Sequence, residues 1–201
     1  MIGQRHSGFR TKVLPFIFIL TLVPGSLRTQ GQLKIEETKK LDQALKIINF
    51  LDQAASLRQE TGRFQGRIAE FSEEEVAAFF EQIFSEQASA FKSIDLKFFP
   101  GKKVEGRVLL DLSNQGLPPS FKPEVNLYFA ARIEISQRKV RLNFSSLYIE
   151  TQRVQPEIID SLIALIARAR GLEARSLESW YDLPEGVENL DTAEGKLLVY
   201  Y

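Results

Sequence analysis

The chain has 201 residues, of which 44% are hydrophobic, and this is enough apolar content for a globular domain with a sizeable core. The formal net charge is zero, but residues 1–31 hold four basic side chains and no acidic one, so residues 32–201 carry 22 basic and 26 acidic groups. This balance argues against a nucleic-acid partner, which requires a concentrated basic surface.

The residue types that the chain lacks exclude several kinds of catalytic and metal site. It has no cysteine, which excludes disulfides, thiol nucleophiles, thiolate metal sites and lipid-modified cysteine. Its single histidine, His6, lies in the N-terminal segment, so residues 32–201 have no imidazole for acid–base chemistry or metal binding. We therefore expect no metal and no cofactor.

The N-terminal segment resembles an export signal. A basic start is followed by an apolar run of 12 residues, VLPFIFILTLVP, which fits a signal-peptide core and is shorter than the roughly 20 residues of a spanning helix. Small residues at Thr29 and Gly31 predict cleavage after Gly31, and Val23–Gly25 offers a rival position. The alternative is an uncleaved N-terminal anchor. Both interpretations place the body of the protein outside the cytoplasm, in the periplasm or secreted.

Apolar residues at helical spacing predict a first helix over residues 33–58, followed by a break over residues 59–66. Residues 67–71 are expected to form an edge strand or to lead into the next helix. That helix begins in FSEEEVAAFFEQIF, where Ser72 and Glu75 form a capping box and the acidic cluster suits the helix N-terminus. Its apolar side consists of Val76, Phe79, Phe80, Ile83 and Phe84.

The period then changes to two, which predicts an antiparallel meander of four strands between residues 94 and 149. The apolar phase shifts by one residue at Ser145-Ser146, and such a shift predicts a β-bulge or strong bend. Gly106 in mid-strand indicates either a bend or the close approach of a ligand.

Pro156 and Gly171 delimit a predicted helix with a wide apolar face, and a final hairpin joins residues 187–192 to residues 197–201. The aromatic residues near the C-terminus either close one end of the core or lie at a membrane interface; they are Trp180, Tyr181, Tyr200 and Tyr201.

We find no nucleotide-binding or hydrolase motif in the chain. Asp111, Glu134 and Glu150 fall at polar positions of alternating strands, where charges are expected to face water, so a carboxylate hydrolase is only a minor alternative to a protein without enzymatic activity.

Four stretches together resemble a known family: FSEEEVAAFF, KVEGRVLLDL, ARIEISQRKVRLNFSSLYIE and LPEGVENLDTAEGKLLVYY. They are similar to the small secreted phospholipid-binding family that includes LmeA and, through it, to tubular lipid-binding domains. The resemblance covers roughly residues 65–201. It implies an antiparallel sheet curved around a long helix, an apolar interior that holds acyl chains, and no catalytic residues. The helix at 33–58 and the charged strand at 138–143 depart from the family pattern.

These observations predict an α+β protein in which a curved antiparallel β-meander wraps two long apolar helices, with an additional N-terminal helix. We expect three parts: residues 1–31 as the signal peptide, 32–64 as a helical extension, and 65–201 as the lipid-binding-like domain. The expected function is to bind or carry a lipid or other amphiphile, with peripheral membrane contact. The alternative is a structural or assembly protein of the cell envelope, which docks a protein partner through the 33–58 helix. The predicted apolar lining comprises Phe79, Phe80, Ile83, Phe84, Leu110, Phe129, Ile133, Phe144, Ile163 and Ile166.

Overall fold

The computed structural model describes residues 30–87, 91–113, 123–169 and 176–201. It contains three helices and nine strands in these ranges. In chain order they are α1 (Gln30–Thr61), β1 (Ile68–Ser72), α2 (Glu73–Gln87), β2 (Phe91–Phe99), β3 (Lys103–Asp111), β4 (Glu124–Ser136), β5 (Lys139–Ile149), β6 (Gln152–Arg153), α3 (Pro156–Ala169), β7 (Tyr181–Asp182), β8 (Asn189–Ala193) and β9 (Lys196–Tyr200).

The main sheet confirms the predicted α+β class and the antiparallel meander. Its strands follow the order β2-β3-β4-β5-β6, all neighbours are antiparallel, β7 pairs with β5, and the sheet curls into a half-barrel. The β4–β5 turn has two residues, Gln137 and Arg138, both with positive φ, as tight hairpins require.

A β-bulge lies where the sequence predicts one. Ala130 pairs with Ser146 and Ala131 pairs with Phe144, so Ser145 is the extra residue on β5. Its hydroxyl donates a hydrogen bond to the Ala130 carbonyl oxygen at 3.1 Å. Because of this inserted residue, Phe144 and Leu147 point to the same side of the sheet although they are three positions apart in the sequence.

The start of α2 confirms the capping box. The Ser72 amide donates to the Glu75 carboxylate at 2.9 Å, and the Glu75 amide donates to the Ser72 hydroxyl at 3.2 Å. Two other acids of α2 bind the free edge of β2: Glu73 accepts from the Phe98 amide at 2.8 Å, and Glu81 accepts from the Ile94 amide at 3.2 Å. The helix therefore covers a strand edge with carboxylates.

A second sheet, in the order β1-β9-β8, joins β1 to the C-terminal hairpin. Residues 68–72 form its edge strand, which confirms one of the two expectations for that segment. Ile47 of α1 lies in one hydrophobic core with Phe71, Val76 and Val199, so α1 packs directly on this sheet and on α2.

One glycine permits the contact between α1 and the C-terminal part of the chain. Gly186 has φ of 86°, and a Cβ atom there would lie 2.6 Å from the Ala55 amide nitrogen and closer still to the Ala54 carbonyl group. Ala54 and Ala55 are both buried. The turn at Gly186 therefore requires glycine both for its conformation and for its close approach to α1.

The expectation that the sheet wraps two long apolar helices is not supported. α2 has 15 residues, carries Glu73, Glu74, Glu75 and Glu81, and lies between α1 and the edge of β2. α3 has 14 residues and packs through Ile159 on β5. The prediction failed because the apolar stripe of α2 is shared with α1, which periodicity within either helix does not reveal.

Helix α1 begins at Gln30, ahead of the predicted cleavage after Gly31. The rest of the predicted signal peptide lies outside the described residues, as does the predicted stop at Gly171. Among the helices that the structure describes, none has the length and apolar character needed to cross a bilayer.

Candidate functional site

The candidate site is the face of the main sheet that meets the helices, called here the inner face. Strand register places Leu110 opposite Val125, Phe129 between Gly106 and Leu147, and Phe144 opposite Ala131. These are all apolar positions or glycine, as the alternation of the sequence predicts. The predicted lining residues Leu110, Phe129, Ile133 and Phe144 therefore share one face.

Burial varies along this face. The part called the buried end consists of Phe98, Val104, Ala131 and Ile133, which are at most 7% exposed. Ile135, Val140 and Leu142, which lie nearer the β4–β5 turn or beside it, are partly buried. At the opposite end, called the half-exposed end, β2 begins, β3 ends and β4 begins. The inner-face residues there are only partly buried: Phe91, Val108, Leu110, Val125 and Leu127. Leu112, just beyond β3, is buried.

The second half of α2 brings aromatic rings to the half-exposed end. Phe80 and Phe84 stack with centroids 5.9 Å apart, and Phe84 lies 4.4 Å from Phe91 of β2. Phe79, Phe80, Ile83 and Phe84 are all only partly buried. Phe79 and Phe80 also contact the main core, whereas the stack extends from them towards the end of the helix.

Helix α3 supplies the remaining predicted residues. Ile163 is partly buried and packs on the smaller core of Leu147, Ile159 and Leu177. The side chain of Ile166 lies outside the described residues. Phe129 and Phe144 contact both cores, and their rings meet edge to face with centroids 5.9 Å apart. They connect the α2 side of the inner face to the α3 side.

Gly106 creates space for one of these rings. A Cβ atom on Gly106 would lie 2.5 Å from Cε1 of Phe129 and 3.1 Å from the Asp95 carbonyl oxygen. The ring of Phe129 thus lies flat over the backbone of β3, so the close approach at Gly106 is filled by the protein's own side chain.

Two surface depressions stand out among the described residues. One is a shallow crevice between the end of α1 and the Gly186 turn, which is too small to hold a water molecule. The other is a groove of about 400 Å³ beside the bulge, which includes Lys103, Glu105 and Ala130 of the opposite sheet face. Neither depression is lined by any of the ten predicted residues, so the acyl-chain lining stays a prediction.

Phe91 was missing from the predicted lining, although it completes the aromatic stack. The β2–β3 register shifts between Phe91 and Ser93, so Lys92 is an extra residue. This irregularity puts Phe91 on the inner face, where simple alternation from Ile94 would place Lys92. The phase shift between Phe91 and Ile94 is present in the sequence, but it involves a single residue at the start of the strand, and the prediction missed it.

The carboxylates considered for hydrolysis are all engaged. Hydrogen bonds from Asn143 and Arg141 lower the pKa of Glu134, and hydrogen bonds from Ser113 lower the pKa of Asp111. Glu150 accepts a hydrogen bond from the Asn126 amide at 2.9 Å. A glycosidase needs one carboxyl whose pKa is raised so that it can donate a proton, and the shifts of Glu134 and Asp111 run in the opposite direction.

Comparison of the chain with protein-family models, curated proteins and solved structures finds no match. The resemblance to secreted phospholipid-binding proteins therefore stays a prediction.

Proposed function

We propose that the protein binds the hydrocarbon part of a lipid or similar amphiphile on the inner face of its half-barrel, outside the cytoplasm and without catalysis. The observation that carries this proposal is the group of partly buried apolar side chains at the half-exposed end of an uninterrupted apolar face. Further along the same strands, Val104, Ala131 and Ile133 are buried.

Physical chemistry supports an apolar ligand at the half-exposed end. Phe84, Phe91 and Leu110 each keep apolar surface in contact with water, and covering such surface is favourable by about 25 cal/mol per Å². An acyl chain placed there would gain about 0.8 kcal/mol for each methylene it buries. Aromatic and aliphatic side chains without charge suit this ligand class, because they impose little geometric selection on a flexible chain.

The test is uptake of a fluorescent fatty acid by the full-length chain carrying Leu110→Gln. Leu110 is partly buried at the half-exposed end, and the polar amide should weaken hydrocarbon binding while leaving the fold intact. The matched control is Ile158→Gln on α3, where the side chain is 53% exposed and outside both core clusters. The proposal predicts weaker uptake for Leu110→Gln alone. No uptake by the unaltered protein, together with a ligand-free mass by native mass spectrometry, would refute it.

One observation favours the alternative of a docking protein. Leu41 and Leu45 lie one turn apart on α1 and are 45% and 39% exposed, while Ala44 and Ile47 face the core. A protein partner in the cell envelope could cover these two leucines. Cross-linking from this face in cells, followed by the Leu41→Gln/Leu45→Gln variant, tests the idea: a specific adduct that the variant abolishes supports it, and an unchanged adduct pattern removes it.

A further inference from the structure

Two arginines lie over one aromatic ring at the end of α1, and a third arginine lines the adjoining crevice. The guanidinium carbons of Arg58 and Arg138 lie 4.5 Å and 5.3 Å from the centroid of Phe64. Arg63 lines the shallow crevice together with Arg58 and Phe64. We call Arg58, Arg63, Phe64 and Arg138 the arginine–Phe64 cluster.

These three arginines have no carboxylate partner among the described residues. Elsewhere Arg107 pairs with Asp95 at 2.6 Å and Arg141 pairs with Glu134 at 2.6 Å. Within the described residues, Arg58, Arg63 and Arg138 form no ion pair; Arg58 donates to the backbone carbonyl of Gly62. Their charge is thus left for an external anion.

The surroundings of the cluster are positive overall. Segments 58–67, 137–140 and 182–186 hold five basic and three acidic residues. Of the acids, Asp182 faces Lys139 at 3.7 Å and Glu185 accepts a hydrogen bond from Gln59 at 3.3 Å, and Glu60 is exposed on α1. A guanidinium group stacked on a ring can still use its N–H edge for a planar bidentate contact with phosphate. Stacking also holds the arginine side chain in few rotamers, so less conformational entropy is lost when it binds.

An amphipathic aromatic side chain lies at the same end of the sheet. Trp180 is partly exposed, stacks under Arg141 at 4.7 Å and immediately precedes β7. β7 pairs with Val140, and the Leu183 amide donates to the Arg138 carbonyl at 2.8 Å, so this segment adjoins the cluster. Tryptophan beside arginine is typical of surfaces that meet lipid headgroups.

From this arrangement we propose that the arginine–Phe64 cluster docks the protein on a bilayer surface rich in anionic phospholipids, with Arg58, Arg63 and Arg138 contacting headgroup phosphates and Trp180 lying at the headgroup level. The site is separate from the half-exposed end of the inner face. Bilayer docking can therefore be tested independently of amphiphile binding.

The experiment is co-sedimentation of the full-length chain with vesicles of phosphatidylglycerol in phosphatidylcholine, compared with vesicles of phosphatidylcholine alone. The test variant is Arg63→Gln/Arg138→Gln, and the matched control is Arg132→Gln/Arg153→Gln, which removes two exposed sheet arginines that also form no ion pair within the described residues. Each arginine at a membrane surface contributes about fivefold in affinity, so the test variant should bind about 25-fold more weakly. The control should bind like the unaltered protein, and added salt should weaken binding.

Several outcomes would overturn the proposal. These are equal binding to both vesicle types, equal losses in the test and control variants, or protection of the cluster by inorganic phosphate without any vesicle binding. Binding to an acidic protein but not to vesicles would also overturn it. Thermal melting of both variants controls for folding, and Phe64→Leu, which removes the stacking ring but no charge, should also weaken vesicle binding. Fatty-acid uptake should be unchanged in Arg63→Gln/Arg138→Gln. The two measurements therefore distinguish a failure of bilayer docking from a failure of the proposed amphiphile binding.

Discussion

Replacement of Gly186 by alanine should destabilise the whole fold, because this residue sets the distance between α1 and the C-terminal part of the chain. A methyl group there would lie 2.6 Å from the Ala55 nitrogen and closer still to the Ala54 carbonyl group, so the turn would have to retreat by more than about 0.8 Å to reach ordinary contacts of 3.4 Å. The opposing atoms are helix backbone, which cannot rotate away as a side chain does. Forced displacement of this kind costs about 1–3 kcal/mol.

The positive φ of Gly186 adds a second cost, and Gly195 provides the control for it. Gly195 has φ of 69° and no atom within 4 Å of its hypothetical Cβ, so Gly195→Ala carries the conformational cost of about 1–2 kcal/mol without the steric one. Gly186→Ala should therefore lower the free energy of unfolding by about 2–5 kcal/mol, which exceeds the loss in Gly195→Ala by the steric contribution.

The assay is urea unfolding followed by far-ultraviolet circular dichroism, with the denaturant dependence checked for equality between variants so that the midpoints report stability. Equal losses for Gly186→Ala and Gly195→Ala would refute the reasoning, since they would show that α1 does not press on the turn. A partial unfolding step confined to α1 would show instead that the helix separates from an otherwise stable domain.

Three further predictions concern the sheet. Gly106→Ala should cost about 1–3 kcal/mol in the native background and clearly less in Phe129→Ala, because the methyl group meets the Phe129 ring; additive losses in a double-mutant cycle would contradict this. The pKa values of Asp111 and Glu134 are lowered in the folded protein, so the ionised carboxylates stabilise the fold above about pH 4. This stabilisation of the fold is lost as the pH falls through the lowered pKa values. The melting temperature should therefore decline between about pH 5 and pH 3, less steeply in Glu134→Gln, and an identical slope in that variant would contradict the assignment. Gln137→Asn should raise the free energy of unfolding by up to about 1 kcal/mol, because asparagine tolerates the positive φ of 49° at this turn; a loss of stability in urea would count against it.

Structural features that depend only on residues close together in the sequence were predictable. The capping box at Ser72 and Glu75 depends on residues three positions apart. The bulge at Ser145 is indicated by a one-residue shift in the alternation of apolar residues along the strand. The inner-face positions Leu110 and Phe129 follow from alternation alone, because each strand must turn one side to the core.

Features that depend on distant partners were not predictable. The pairing of β1 with β9 joins Phe71 to Leu197, and the carboxylates of Glu73 and Glu81 bind the edge of β2, yet an acidic helix start looks the same whether or not a strand lies beside it. The uneven burial of the inner face was also not predictable. It depends on how far the helices cover each strand, which the pattern within a strand does not record.

The two edges of the main sheet are protected by different means, and this has a consequence for self-association. On β2, the side chains of Glu73 and Glu81 occupy amide groups that an incoming strand would need. On β5, within the described residues, β7 and β6 cover only the two ends, and Ser145 interrupts the ladder between them. A second copy of the chain therefore finds no continuous row of free donors and acceptors on either side. Extension of the main sheet by strand addition is therefore disfavoured at both edges.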